Sequence, residues 1–223
     1  NTIGGHFTLM SSLGQTECTA GLTVCNIDDP VGIRSTTVGH FMNHVEGKIA
    51  DMNTGAPLPA GETGEICVRG YLTMQRYYGD EAETAKTLDA DGWVHTGDLG
   101  ALDADGNITL KGRCKELIIR GGENISPLEI EQALAANPAV ALCKVIGVPD
   151  RHFGEEVCAC IIRAPGAELD ADAVRGWLRP RIAYFKIPRY VVFYDELPKT
   201  HKGAVSTAEC KKLVMRDLFG VEG

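Results

Sequence analysis

The sequence predicts an α+β chain of more than one domain: a small β-barrel-like subdomain followed by an α+β domain with three helices on a small sheet. Three observations carry this. Residues 27–111 alternate short apolar runs with turn chemistry, the pattern changes to strands and helices in alternation beyond residue 113, and 223 residues suffice for two compact cores.

The elements follow in order. An alternating apolar segment within residues 1–12 (Phe7, Leu9) leads into the turn Leu13-Gly14-Gln15-Thr16-Glu17. Short strands are predicted over Val45–Met52, Gly64–Gly70, Trp93–His95 and Ile108–Leu110. Turns are predicted at Asn53-Thr54-Gly55, Pro57–Gly61 and Asp103–Asn107, the last joining Leu99–Leu102 to Ile108–Leu110 as a hairpin. Strands this short and this closely spaced suggest a small barrel or distorted sheet. The segment from Gly112 to Glu131 is the densest in signals. Arg113 and Lys115 would share a side if extended, and Lys111 and Arg120 complete a local basic cluster. Leu117-Ile118-Ile119 reads as a buried strand, and Gly121-Gly122 lets the backbone turn or approach a ligand closely. Ser126, Pro127 and Glu129 read as a capping box opening a helix that runs to about Asn137. Strands follow at Ala139–Val148, Val157–Arg163 and Arg189–Tyr194. A helix over Asp170–Arg181 has Asp170 as N-cap and Val174, Trp177, Leu178 and Ile182 on one face. The last helix, Ser206–Phe219, pairs Ser206 with Glu209 as a capping box and carries the stripe Cys210, Leu213, Val214, Leu218.

Charge excludes some functions. Lys and Arg total 22 against 30 Asp and Glu, a formal charge of −8, which argues against a nucleic-acid or anionic-membrane surface. No apolar run approaches a membrane span and no signal peptide is evident. The eight cysteines contain no C-x-x-C pair and sit among apolar residues. They read as reduced thiols of a cytoplasmic protein, without structural zinc.

Four ordered stretches resemble motifs of the adenylate-forming superfamily, the acyl- and aryl-CoA synthetases with their carrier-loading and luciferase relatives. They are Gly14-Gln15-Thr16-Glu17, Gly64–Gly70 with Gln75-Arg76-Tyr77-Tyr78, Asp91–Gly100, and the Gly112–Glu131 segment. Leu13 replaces the usual aromatic residue of the first. The resemblance is closest to fatty-acyl and medium-chain acyl-CoA synthetases. It implies ATP-dependent activation of a small-molecule carboxylic acid as an acyl-adenylate, then thioester formation with coenzyme A. By the same resemblance Thr16 contacts the ATP phosphates, and Glu17 helps hold Mg²⁺, a hard cation suited to carboxylate and phosphate oxygens. Asp98 accepts hydrogen bonds from the ribose hydroxyls of ATP or AMP, for which a carboxylate is the natural partner. Arg113 contacts the same ribose, Lys115 is the hinge of a mobile C-terminal domain, and Gly121 and Gly122 border the pantetheine channel for coenzyme A. The implied domains are residues 1–26 as the tail of a large N-terminal ATP-binding domain, 27–112 as the β-barrel-like subdomain, and 113–223 as the mobile domain.

One site departs from the pattern. Leu197-Pro198-Lys199-Thr200-His201-Lys202-Gly203-Ala204 resembles the family's final motif, P-K-T-x-x-G-K, with Ala204 where the family has the lysine that neutralises charge between the substrate carboxylate and α-phosphate. An engineered substitution, a natural loss and recruitment of Lys202 or Lys199 are the three explanations. The superfamily's S-G-T-T-G-type phosphate loop has no match here, so the expectation is the C-terminal portion of a longer enzyme, partnered by its own N-terminal domain and inactive in adenylation by itself. A homodimer is compatible with the sequence. A carrier-protein-loading adenylation domain and a non-catalytic nucleotide- or CoA-binding homologue are the alternatives.

Overall fold

The computed structural model describes residues 8–19, 21–201 and 203–221; Phe7 of the first expected segment and Lys202 lie outside the described residues. The chain divides into two compact units, Asn1–Cys114 and Lys115–Gly223.

In the first unit β1 (Ser12–Leu13), β2 (Thr23–Val24) and, after helix α1 (Val31–Thr36), β3 (His40–Phe41) form a small antiparallel sheet. A second sheet is a four-stranded antiparallel meander of β4 (Val45–Ala50), β5 (Thr63–Gly70) and, after helix α2 (Glu81–Thr87), β6 (Val94–Leu102) and β7 (Ile108–Arg113), in spatial order β4-β5-β6-β7. The backbone around Val38 and Gly39 bonds to Ile108, attaching the segment before β3 to the start of β7. Alternate residues of β5 point to opposite faces. Ile66 and Val68 join Ile49, Val94 and Ile108 in the core, while Glu65 and Cys67 stand on the other face.

Two expectations need correction here. Residues 27–111 are not all β, because α1 and α2 interrupt them. Neither helix buries a residue, so neither has the apolar stripe that makes helices visible in a sequence. What holds α2 is local: Asp80 accepts the Glu83 N–H at 2.9 Å, and Glu81 and Glu83 sit in the first turn where the helix dipole favours negative charge. The two segments expected around His95 and Leu99 are one nine-residue strand, β6, since the polar Thr96-Gly97-Asp98 between them is a bulge rather than a turn. The predicted hairpin at Asp103–Asn107 forms, with Asp103 Oδ1 accepting the N–H groups of Asp105 and Asn107.

The second unit builds one sheet from β8 (Ile118–Arg120), β9 (Glu123–Ile125), β10 (Val140–Asp150), β11 (Gly154–Arg163) and β12 (Tyr190–Phe193). The path is β10-β11-β8-β9, with β12 parallel to β11. Helices α3 (Pro127–Ala135) and α4 (Ala171–Leu178) supply Ile130, Leu134, Val174 and Leu178 to one buried cluster, with Val157, Ala159 and Ile161 of β11. The intervening Cys158 and Cys160 meet Cys210 and Val214 of α5 (Thr207–Phe219) in a separate cluster. The sheet is thus covered on both faces, which is why β11 reads as an unbroken apolar run.

Local details differ at helix ends. Asp170 and Ser206 cap as expected, accepting N–H groups of Ala173 and Glu209. Ser126 stands at the N-cap of α3 with Pro127 behind it, but its side chain makes no capping bond, and Glu129 instead accepts from Lys186 at 2.6 Å. The α3 helix stops at Ala135, short of Asn137. Of the predicted α5 stripe, Leu218 is exposed; Phe219 makes the last contact, its ring edge-on to Tyr190 at 5.6 Å.

Candidate functional site

Thr16 and Glu17 lie in a 3₁₀ turn, Thr16–Cys18, closed by Thr19 in the left-handed region and anchored by buried Cys18. Glu17 Oε1 accepts the Tyr77 hydroxyl at 2.6 Å, and the Glu17 carbonyl accepts the Met74 N–H at 2.7 Å. The hydrogen bond to Glu17, then burial, pushes the Tyr77 phenol up. The turn is therefore stapled to the segment after β5. A carboxylate has about four lone-pair sites, so one bond from Tyr77 leaves capacity for a hard cation. The Glu17 carboxylate is a hard oxygen donor of the kind that fits Mg²⁺.

The β6 bulge builds the second group. In the β5–β6 register Glu65 faces Leu99 and Cys67 faces His95, so four residues of β6 are spanned by two of β5. Gly97 absorbs the excess at φ +71°, a conformation costly for a residue with a Cβ. Thr96 Oγ1 donates to the Ile66 carbonyl at 2.7 Å and accepts the Asp98 N–H at 3.1 Å. Glu65 Oε1 accepts the Gly97 N–H at 2.9 Å. So held, Asp98 lies opposite Arg113 of β7, and Arg113 Nε donates to Asp98 Oδ1 at 3.0 Å. The Asp98 side chain is 10% exposed and that of Arg113 53%. This is a buried carboxylate beside a half-exposed guanidinium: an acceptor for a diol with a cation at its edge.

The other sequence-predicted residues belong to the second unit. Lys115 is exposed in the 3₁₀ turn Cys114–Glu116, so the chain is not extended there. Arg120 is a structural cation rather than part of a basic surface site. It pairs with Glu156, which is buried, and lies over the Phe153 ring at 4.1 Å. Gly121 and Gly122 form the two-residue turn between β8 and β9, at φ +58° and +91°. Positive φ at both central positions is the demand of a type I′ hairpin, so these glycines have a backbone reason to be present. Ala204 is exposed in a closed loop: its carbonyl accepts the Thr200 N–H at 2.7 Å, and Lys199 bridges Val205.

Three residues were missed as site groups by the sequence. Tyr77 was quoted only as part of a motif, and its bond to Glu17 spans sixty positions. Glu65 and His95 fall within the motif stretches 64–70 and 91–100 but carry no implied role of their own, yet Glu65 holds both Gly97 and His95.

Comparison with known proteins identifies the family. Residues 2–78 match the AMP-binding enzyme family and residues 129–204 the AMP-binding enzyme C-terminal domain. Bacillus subtilis YngI, an assigned acyl-CoA synthetase, is 42% identical over 86% of this chain and 35% of its own length. The mitochondrial medium-chain acyl-CoA ligase ACSF2 of Danio rerio is 38% identical over 88% of this chain and 33% of its own. ATP-bound MatB from Rhodopseudomonas palustris superposes with a TM-score of 0.86 at 35% identity, covering 94% of this chain and 41% of that one. The chain thus spans about a third of the length of the curated relatives it matches. None of its described helices is long and apolar enough to cross a membrane. With its motifs in order and its Asp98–Arg113 pair assembled, the chain belongs to the AMP-binding, adenylate-forming enzyme family.

Proposed function

We propose that this chain is the C-terminal portion of an AMP-forming carboxylate–CoA ligase, and that Asp98 and Arg113 take the ribose of its nucleotide. The observation that carries the reading is the ion pair presented by the stapled bulge, with Glu65 and Thr96 holding the turn from below. Asp98 accepts from the diol while Arg113 fixes the carboxylate's orientation. Thr16 faces the phosphates, and Glu17, steadied by Tyr77, keeps a carboxylate oxygen for magnesium. Magnesium, when bound, neutralises phosphate charge. Lys115 serves as the hinge of a mobile domain, Gly121 and Gly122 flank the pantetheine arm of coenzyme A, and the four-stranded module is barrel-like in this reading. A reducing, cytoplasmic setting suits eight thiols that are all free, six of them buried.

Ala204 in the position of the family lysine leaves the adenylation half-reaction without its charge. A methyl group cannot neutralise the oxygens that approach one another as the mixed anhydride forms, and a lost preorganised charge of this kind costs roughly 10²–10³ in rate. Pyrophosphate release over a panel of carboxylic acids, by the parent protein that carries this segment and by its Ala204→Lys variant, tests the reading. We expect a gain of about 10² or more in the lysine variant. Silence in both, with retained nucleotide binding, would favour a non-catalytic nucleotide-binding homologue.

A further inference from the structure

We propose that Glu65, Cys67 and His95 form a binding site for a thiophilic divalent cation of the zinc class, separate from the oxygen site at Glu17. Residues two apart on one strand share a face, so Glu65 and Cys67 project together from β5. The β5–β6 register then sets His95 directly opposite Cys67. One carboxylate oxygen, one sulfur and one imidazole nitrogen converge within 4.8 Å of one another. The set is mixed oxygen, nitrogen and sulfur, which selects zinc-like ions over magnesium or calcium.

The distances favour a tetrahedral ion. Bonds of about 2.0 Å to imidazole nitrogen and about 2.3 Å to thiolate put those two atoms roughly 3.5 Å apart at the tetrahedral angle. Cys67 Sγ and His95 Nδ1 are 3.6 Å apart. Glu65 Oε2 lies 2.7 Å from the same nitrogen, so it must withdraw by about 0.6 Å to reach its tetrahedral position. It can do so without freeing the bulge, since the Gly97 N–H is held by its other oxygen. His95 Nε2 faces Asp89 Oδ2 at 3.6 Å, longer than a hydrogen bond, so a small closure would complete the carboxylate–histidine arrangement that orients an imidazole toward a metal on its other nitrogen.

Charge closes the account. On binding, the Cys67 proton leaves to solvent and the sulfur bonds as thiolate, while the imidazole changes tautomer, giving up the Nδ1 proton that faces Glu65 and carrying one on Nε2 toward Asp89. Glu65, the thiolate and Asp89 then face the dication together with Lys48, the Cα partner of Cys67 on β4. Lys48 Nζ is turned to the Gly55 carbonyl at 2.9 Å and over the Trp93 ring at 4.5 Å. Cys114 is a further thiol within electrostatic reach of Cys67 and Glu65. The His95 side chain is 28% exposed, which gives the ion a way in and leaves the remaining position to water. Sequence spacing hid the site because its ligands meet across neighbouring strands rather than in a C-x-x-C run.

The test is a titration of the metal-free 223-residue chain with Co²⁺, followed by competition with Zn²⁺. We expect one equivalent of Co²⁺ to give tetrahedral visible bands with a near-ultraviolet thiolate transition, and Zn²⁺ to abolish them. His95→Gln and Cys67→Ser should each weaken binding tenfold or more, while Cys143→Ser and Cys158→Ser should leave it intact. Should Cys67→Ser fail to fold by circular dichroism, His95→Gln at the half-exposed ligand decides. Absence of tetrahedral bands in the parent chain, or bands that survive His95→Gln, overturns the proposal. The readout requires no adenylation, so it stands or falls apart from the function proposed above.

Discussion

Removing the Glu65 carboxylate should both destabilise the first unit and loosen Asp98. Glu65 accepts the Gly97 N–H at 2.9 Å and lies 2.7 Å from His95 Nδ1, and its side chain is 16% exposed. Hydrogen bonds to a charged acceptor contribute about 1.5–3 kcal/mol each, and a buried donor left without a partner costs about 1–3 kcal/mol. With the Gly97 bond counted once, and water able to replace the carboxylate at the partly exposed His95, Glu65→Ala should cost about 2–3 kcal/mol. For a unit of this size that is a fall of roughly 10 °C in melting temperature. Glu65→Gln keeps an acceptor for Gly97 and offers an amide donor to His95 Nδ1, so its loss should stay within about 1 kcal/mol. Trp93 lies in the first unit and Trp177 in the second. Denaturant unfolding followed by Trp93 fluorescence in a Trp177→Phe background therefore reports the correct unit. An alanine variant within about 0.5 kcal/mol of the parent would refute the reasoning, as would glutamine proving as harmful as alanine.

Two other outcomes follow from the same geometry. Gly97→Ala and Gly122→Ala should each cost about 1–2 kcal/mol, because both sites have positive φ although a Cβ there meets no atom within 4 Å; Gly176→Ala, at an exposed position of helix α4 with equal space, should instead stabilise by about 0.5–1 kcal/mol, and equal effects at all three would sink the backbone argument. Burial, with Glu65 beside it, pushes the half-buried Cys114 thiol up to about 11, which leaves roughly a hundredfold less thiolate at pH 8 than an ordinary thiol; disulfide-exchange kinetics should show slow native labelling that accelerates as pH rises and eight fast thiols in denaturant, and a fast native phase would contradict this.

Periodicity and punctuation carried much of the fold. Short strands in the first unit, the Asp103–Asn107 turn, the Asp170 and Ser206 caps and the strand run of β11 were all readable, because each depends on neighbours in the chain. Helices α1 and α2 were not readable, since they bury no residue and leave no apolar period. The continuity of β6 through Thr96-Gly97-Asp98 was not readable, because polar residues with glycine look alike in a turn and in a strand that takes up excess length.

The same division runs through the site. Resemblance of the ordered motifs to a known family singled out Asp98 and Arg113, and it set the methyl group of Ala204 against the family's ammonium, while local residue types alone marked Thr16 and Glu17 as a turn. Only the tertiary structure decided that Glu17 is steadied by Tyr77, that Arg120 is occupied by Glu156, and that Glu65 joins the β6 bulge to a Cys67–His95 pair. The reason is physical. A strand states which face a side chain takes, but its partner across the sheet is set by register, and register is fixed by bulges and packing that no local window contains.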